Sequence, residues 1–418
     1  MVKRYTILSR LSQTDNVTMG NILALRQNLG ICLVFTGVTT SMFLNYFFPV
    51  VYWTPFVMLL SCILLCDSST FCASARWNRP FKSILMFQGI MLLYFVFYFN
   101  EAVSQLWFKQ LSFHLYIIVL AIVLMRTKIL KDRNFLPILF VYSSILSFIA
   151  AFCHFTGLIE MERMLYVDKA VLEVFSCNIA AFINFITCLL MLDSKKKKWM
   201  IFFLALMVVD FYVIMQSGKR SYYVSLLATG VIYLYKMKCL KRGIIIVSAV
   251  YLLLNLLVPE VRDMTVKMIE RTIDGFSAVY IDKKSTYVDW DDSASIRAWS
   301  QRMAVQKLNN FSLFNYIFGG GYLFHFFDNP LGESYIDMGI LGFCFYVYLI
   351  VIMPIKFFLR LGAGDKKEMF CFFVALMNIC IILVNTDPYV YMAYTPLCMM
   401  ALFSYKSDFI RYKNLGLL

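Results

Sequence analysis

The stretch FLPILFVYSSILSFIAAFCHFTG, Phe135 to Gly157, runs 23 residues without a charged side chain. As a helix rising 1.5 Å per residue it is about 35 Å long, enough to cross a hydrocarbon core of about 30 Å. Arg126, Lys128, Lys131 and Arg133 stand just before it. A strand of a membrane barrel would alternate apolar and polar residues over about ten positions, and this stretch does not. Runs of the same kind recur at 29–48, 51–66, 82–100, 111–125, 134–157, 170–192, 199–216, 221–236, 243–259, 333–356, 369–386 and 389–405. They predict an all-α, polytopic membrane protein with about 12 transmembrane helices. The shortest, 51–66 and 111–125, are the weakest. The Phe48–Pro49 turn separates the first two runs and Pro259 closes the ninth.

Composition agrees with that reading. Of 418 residues, 61% are hydrophobic and 15% charged, against about 45–50% and roughly 25% in soluble domains. A water-soluble fold would lack polar surface to cover itself, so the expected partner is the lipid bilayer. Net charge is +14, which could suit nucleic acid, but the basic residues sit in short clusters between apolar runs. That placement follows the positive-inside rule and argues against a nucleic-acid partner. With the N-terminus inside, the short cytoplasmic segments hold 26 Lys and Arg and the short outer ones 5. Both termini are therefore expected in the cytoplasm. The division is a cytoplasmic segment 1–28, helices one to nine over 29–259, a large outer loop 260–332, helices ten to twelve over 333–405, and a cytoplasmic tail 406–418. Met1 to Gly20 carries no cleavable signal pattern. The 12 cysteines fall in apolar runs or in cytoplasmic loops, as Cys72 and Cys239 do. No disulfide framework, metal site or cofactor is expected.

The loop between helices nine and ten holds acids and bases in near balance. Within it, 293–309 reads as an amphipathic helix that Ser293 can cap, with Ile296, Trp299, Met303 and Leu308 as its stripe. Phe318-Gly-Gly-Gly-Tyr322 follows as a turn, then His325, Asp328-Asn-Pro330 and Gly332-Glu-Ser-Tyr-Ile-Asp-Met-Gly339.

Three constellations bear charge on the outer side. In Gln216-Ser-Gly-Lys-Arg-Ser221, Gly218 can end helix seven and Ser221 can cap helix eight. Lys219 and Arg220 then stand at a helix N-terminus, where free N–H groups favour an anion such as phosphate. The competing reading is two solvated headgroup anchors. In Ser295-Ile-Arg297-Ala-Trp299-Ser-Gln-Arg302, Arg297 shares a face with Gln301 and Arg302 is displaced from it; a plain surface helix is the alternative. Glu333 and Asp337 are i,i+4 neighbours where the tenth run begins. Carboxylates there need a polar cavity or cations, and either could be a general base. Glu101, Glu160 and Glu162 are further acids near the outer face. Asp210, two turns below Lys219 and Arg220, is a candidate counter-ion.

Together the Ser-Gly-Lys-Arg-Ser loop, the Ser-Ile-Arg…Trp segment, Phe-Gly-Gly-Gly-Tyr, the His, and Glu-Ser-Tyr-Ile-Asp-Met-Gly-Ile-Leu-Gly342 resemble the bacterial O-antigen polymerase (Wzy-type) and O-antigen ligase superfamily. The likeness covers about 216–222 and 293–345. It implies an inner-membrane, metal-independent glycosyltransferase whose donor and acceptor are undecaprenyl-diphosphate-linked oligosaccharides, with a chain-length-regulating membrane protein as partner. Carried over, Arg220 matches the basic residue after the small-residue turn and Arg297 the outer-loop arginine. Lys219 and Arg302 would assist at the diphosphate. The ligases follow their loop His closely with Asn; here His325 precedes Asn329 by four. Glu333, His325 and Asp337 are the expected catalytic set. A ligase with a lipid A-core acceptor is the alternative, and a lipid-linked glycan flippase or transporter the second.

Overall fold

The computed structural model describes residues 2–48, 52–66, 78–98, 107–126, 135–156, 174–192, 197–216, 220–238, 302–324, 330–362, 365–385 and 389–414, with 262, 263, 266 and 270. Among the described residues the structure is almost entirely helical and contains no strand. The helices are α1 (Val2–Phe47), α2 (Thr54–Leu65), α3 (Arg79–Phe97), α4 (Trp107–Arg126), α5 (Leu136–Phe155), α6 (Val174–Met191), α7 (Lys197–Gln216) and α8 (Arg220–Lys236). After them come α9 (302–309), α10 (Leu313–Phe318), α11 (Pro330–Val347), α12 (Met353–Arg360), α13 (Lys366–Asn385) and α14 (Thr395–Asn414). The expected ninth run, 243–259, lies outside the described residues. Five stretches are long and apolar enough to cross a membrane: Leu23–Phe47, Arg79–Phe97, Trp107–Arg126, Leu136–Cys153 and Pro330–Arg360. The chain is thus a helical membrane protein, because in lipid only a helix satisfies its own backbone N–H and C=O groups segment by segment.

Local chemistry explains the boundaries. Pro55 and Pro354 stand in the first turns of α2 and α12, where a missing N–H breaks no helical bond. Asn78 caps α3, its Oδ1 accepting from the Phe81 N–H at 3.0 Å. Three elements differ from the sequence reading. First, α1 continues N-terminally through residues expected as a separate polar segment, since no proline interrupts them. Second, α2 has 12 residues, about 18 Å of axis, short of the hydrocarbon thickness. Third, the tenth run is not one smooth helix. Gly339 breaks α11 with φ 65 and ψ −171, and Tyr348–Ile352 form a π-helical turn before α12.

The chain divides into two compact units. The first holds Met1–Lys82, Leu115–Ser217 and Cys398–Leu418. There α1 packs on α2 so closely that a Cβ at Gly30 would lie 2.8 Å from Leu65 Cγ. On α5, Tyr142 meets Thr40 of α1 through their hydroxyls at 3.1 Å. Cys188, Phe203 and Leu206 form a buried cluster between α6 and α7, with Phe140 of α5 against it.

The second unit holds Ser83–His114 and Gly218–Leu397. Lys236 at the end of α8 donates to the Phe358 and Leu361 carbonyls at 3.2 and 2.9 Å, ending α12. Phe87 sits among Phe345, Tyr346 and Tyr394. Ala304 of α9 and Ile336 of α11 form a small core with Leu308, Phe311 and Phe324. Ala304 is therefore the buried position of the described part of the loop helix, and Met303 and Leu308 of the expected stripe are both half-buried.

Candidate functional site

The break at Gly339 builds the site. In an unbroken helix the carbonyls of residues 336 and 337 would accept from N–H groups four residues on. Instead, the Ile336 carbonyl accepts from Gly320 N–H at 2.7 Å and the Asp337 carbonyl from Gly321 N–H at 3.1 Å. The glycine turn after α10 is thereby laced to α11. Gly319 and Gly339 both have positive φ, 86 and 65, and a Cβ on either would overlap the other segment's backbone. Only glycine permits both the dihedral and the contact.

This lacing carries Tyr322 inward, to 1% exposure. Its N–H donates to the Tyr98 carbonyl at 2.8 Å. Its ring stacks on Tyr389 with centroids 4.1 Å apart and meets Phe95 edge-on. The Tyr322 hydroxyl stands 2.6 Å from His114 Nε2 and 3.2 Å from Gln110 Oε1. His114 Nδ1 lies 2.7 Å from Gln88 Oε1. An Nδ1–H donated to Gln88 leaves Nε2 to accept from Tyr322; a doubly protonated ring reverses that bond and frees the phenol proton for Gln110.

Tyr389 continues toward the acids, its hydroxyl donating to Asp337 Oδ2 at 2.7 Å. Asp337 and Glu333 are both 0% exposed, and both carboxyls act electrostatically on the Tyr389 hydroxyl. The helical spacing read in the sequence does bring them together. Lys307 is a cation on which the charge of Asp337 acts. Its Nζ donates to the Phe324 carbonyl at 3.0 Å and lies 4.5 Å from the centre of the Phe324 ring. Partial burial lowers the lysine's pKa below its ordinary range, and the negative charge of Asp337 opposes that shift.

Beside the glycine turn lies an open cavity of about 280 Å³. Leu93, Tyr94, Phe97 and Tyr98 of the α3 end form one wall; Phe314, Phe318, Gly319 and Gly321 form the other. The Tyr94 hydroxyl donates to the Phe318 carbonyl at 2.6 Å and ties the walls together.

The other expected site residues divide as follows. Arg302 opens the described part of α9 and is exposed. Arg220 is the first residue of α8, as a helix-N-terminal anion site requires, but its side chain lies outside the described residues. Lys219, Arg297 and His325 lie outside them too. The Asp210 oxygens accept from Ser147 and Asn184. Sequence reasoning missed His114, Tyr322, Tyr389 and Lys307. The available signal was a lone His inside one apolar run and a Gln, Gln88, inside the run before it. Among the described residues no group of three or more His, Cys, Asp or Glu is placed to hold a metal ion. No family model matches the chain, and no curated protein matches it.

Proposed function

We propose that the chain is an inner-membrane polymerase of undecaprenyl-diphosphate-linked O-antigen repeat units, or of a related polysaccharide. In this reading twelve helices cross the membrane, both termini are cytoplasmic, and the 260–332 loop faces the periplasm. The observation that carries the reading is the joining of the two stretches on which the family resemblance rests. The Phe318–Tyr322 turn and the Glu333–Gly339 segment form one hydrogen-bonded unit around a buried carboxylate pair.

The reaction is attack by an acceptor hydroxyl oxygen on the donor's anomeric carbon. A carbon–oxygen bond forms, the bond to the diphosphate breaks, and the diphosphate leaves with the electron pair. The hydroxyl proton passes to a carboxylate, a step for which general-base assistance supplies about 10²–10⁴ in rate. Asp337 is held by Tyr389 and serves to position; Glu333 takes the proton, with His325 as its alternative. Arg220, Lys219, Arg297 and Arg302 stabilise the charge developing on the diphosphate. The aromatic cavity beside Gly319 receives an acceptor sugar.

The test is the glycan banding of cells lacking the protein. At most one repeat unit on the lipid core is expected, because assembly and ligation enzymes remain. Absence of any repeat unit on the core, with polymer accumulating on undecaprenyl diphosphate, would establish the ligase alternative instead. Glu333→Gln at matched expression should reproduce the deletion.

A further inference from the structure

A second buried polar centre, in the first unit, takes no part in the proposed reaction. Asp210 stands on α7, 1% exposed. Ser147 of α5 donates to its Oδ1 at 2.5 Å, and Asn184 Nδ2 of α6 donates to its Oδ2 at 2.8 Å. Around this core, Ser143 and Ser144 of α5 both donate to Asn184 Oδ1, at 3.1 and 2.9 Å. Thr187 Oγ1 lies 3.4 Å from Ser143 Oγ. These residues are 0–9% exposed, and all sit within apolar helices.

Both described partners of the carboxylate are neutral. Among the described residues no Lys, Arg or His pairs with Asp210. The charged residues nearest in sequence, Lys219 and Arg220, come only after the end of α7 at Gln216. On the packed neighbours, the described side chain of α5 that reaches the carboxyl is Ser147, and a titratable group of α6 that feels it is the thiol of Cys188. A carboxylate in hydrocarbon without a counter-charge is strongly disfavoured, and such residues mark ion and proton pathways. The surroundings are suited to a small cation: rotatable hydroxyls can donate to a bare carboxylate or turn their lone pairs to a positive charge. One acid with neutral oxygens around it balances a single charge, not a divalent ion.

We propose that the Asp210–Ser147–Asn184 centre binds one monovalent cation from solution, a proton or a sodium ion, within the helix bundle. This goes beyond the polymerase reading and does not depend on it. Its consequence is that the packing of α5, α6 and α7 responds to the ion.

The experiment is thermal unfolding of the full chain in lipid nanodiscs, as wild type and as Asp210→Asn. One series varies sodium against N-methylglucamine at fixed pH; the other varies pH at fixed sodium. The wild-type midpoint should rise with sodium if the ion is sodium, or with acidity if it is a proton. In either case Asp210→Asn should lose that dependence. Ser147→Ala keeps the carboxyl but removes a hydrogen bond to it. It should shift the midpoint concentration of the same dependence about tenfold, the usual size for a bond to a charged group. Identical behaviour of wild type and Asp210→Asn in both series would overturn the proposal. Should Asp210→Asn fail to fold, an unshifted dependence in Ser147→Ala would overturn it equally.

Discussion

Gly319 and Asp337 meet backbone to backbone, so that a Cβ on Gly319 would overlap the Asp337 carbonyl. The turn that follows the loop helix is therefore part of the same rigid element as the acids on α11.

Gly319→Ala should accordingly be severe. A side chain at φ 86 costs about 1–3 kcal/mol in backbone strain, and the overlap with α11 forces the turn away as well. Purified protein should melt several degrees lower and cells should make only short glycans. Gly230→Ala is the control, since a Cβ there meets nothing within 4 Å. Equal melting of the two variants would refute the lacing.

Tyr389→Phe removes the donor to Asp337 Oδ2 and preserves the stack on Tyr322. Depriving a buried acceptor of its donor costs about 1–3 kcal/mol. The variant should lose stability by that amount and lengthen glycans poorly, whereas Tyr52→Phe, at an exposed position, should behave as wild type. Unfolding midpoints and chain-length profiles at matched expression give the answer.

Lys307 gives a pH dependence whose sign is set. Burial lowers its pKa in the folded chain, so between that value and the ordinary lysine value the unfolded chain binds more protons. Stability then rises with pH across this alkaline window. The contribution is small because the side chain is only partly buried. Subtracting the pH–stability curve of Lys307→Met from that of wild type should leave a positive slope there; a flat or negative difference would contradict the assignment.

In the proposed reaction a diphosphate needs guanidinium geometry and not only charge. Arg220→Lys and Arg297→Lys should each lose most polymer, while Arg163→Lys should lose little. One such electrostatic contact is typically worth about 10²–10³ in rate. Normal glycan ladders from both Arg220→Ala and Arg297→Ala would move the anion site elsewhere.

Topology is checked by reporter fusions after Ser194 and Asp289. The 26-to-5 asymmetry of short-loop cations predicts the first inside and the second outside. A shared side for both would require an odd change in the number of spans between them.

The helices and the acid pair were legible in the chain because their signals are local. An uncharged run such as 135–157 has one way to satisfy its backbone in lipid, and residues 333 and 337 share a face in any helix. His114 was not legible: a histidine in an apolar run becomes part of a site only when Tyr322, 208 residues later, is brought to its ring. Sequence spacing points to Arg297 and Arg302 and not to Lys307, since it does not say which basic side chain of a loop helix turns to the bundle.

By itself the sequence determined an all-helical membrane protein, the clustering of its basic residues between apolar runs, and the shared face of Glu333 and Asp337. These follow from hydropathy, charge placement and helical period, which act over a few turns. Tertiary structure alone decided that α11 breaks at Gly339, that its freed carbonyls bind the glycine turn, and that Tyr322 and Tyr389 connect His114 with Asp337. Those outcomes depend on contacts between residues far apart in the chain. Their energies come from burial and from satisfying polar groups away from water, which no local pattern encodes.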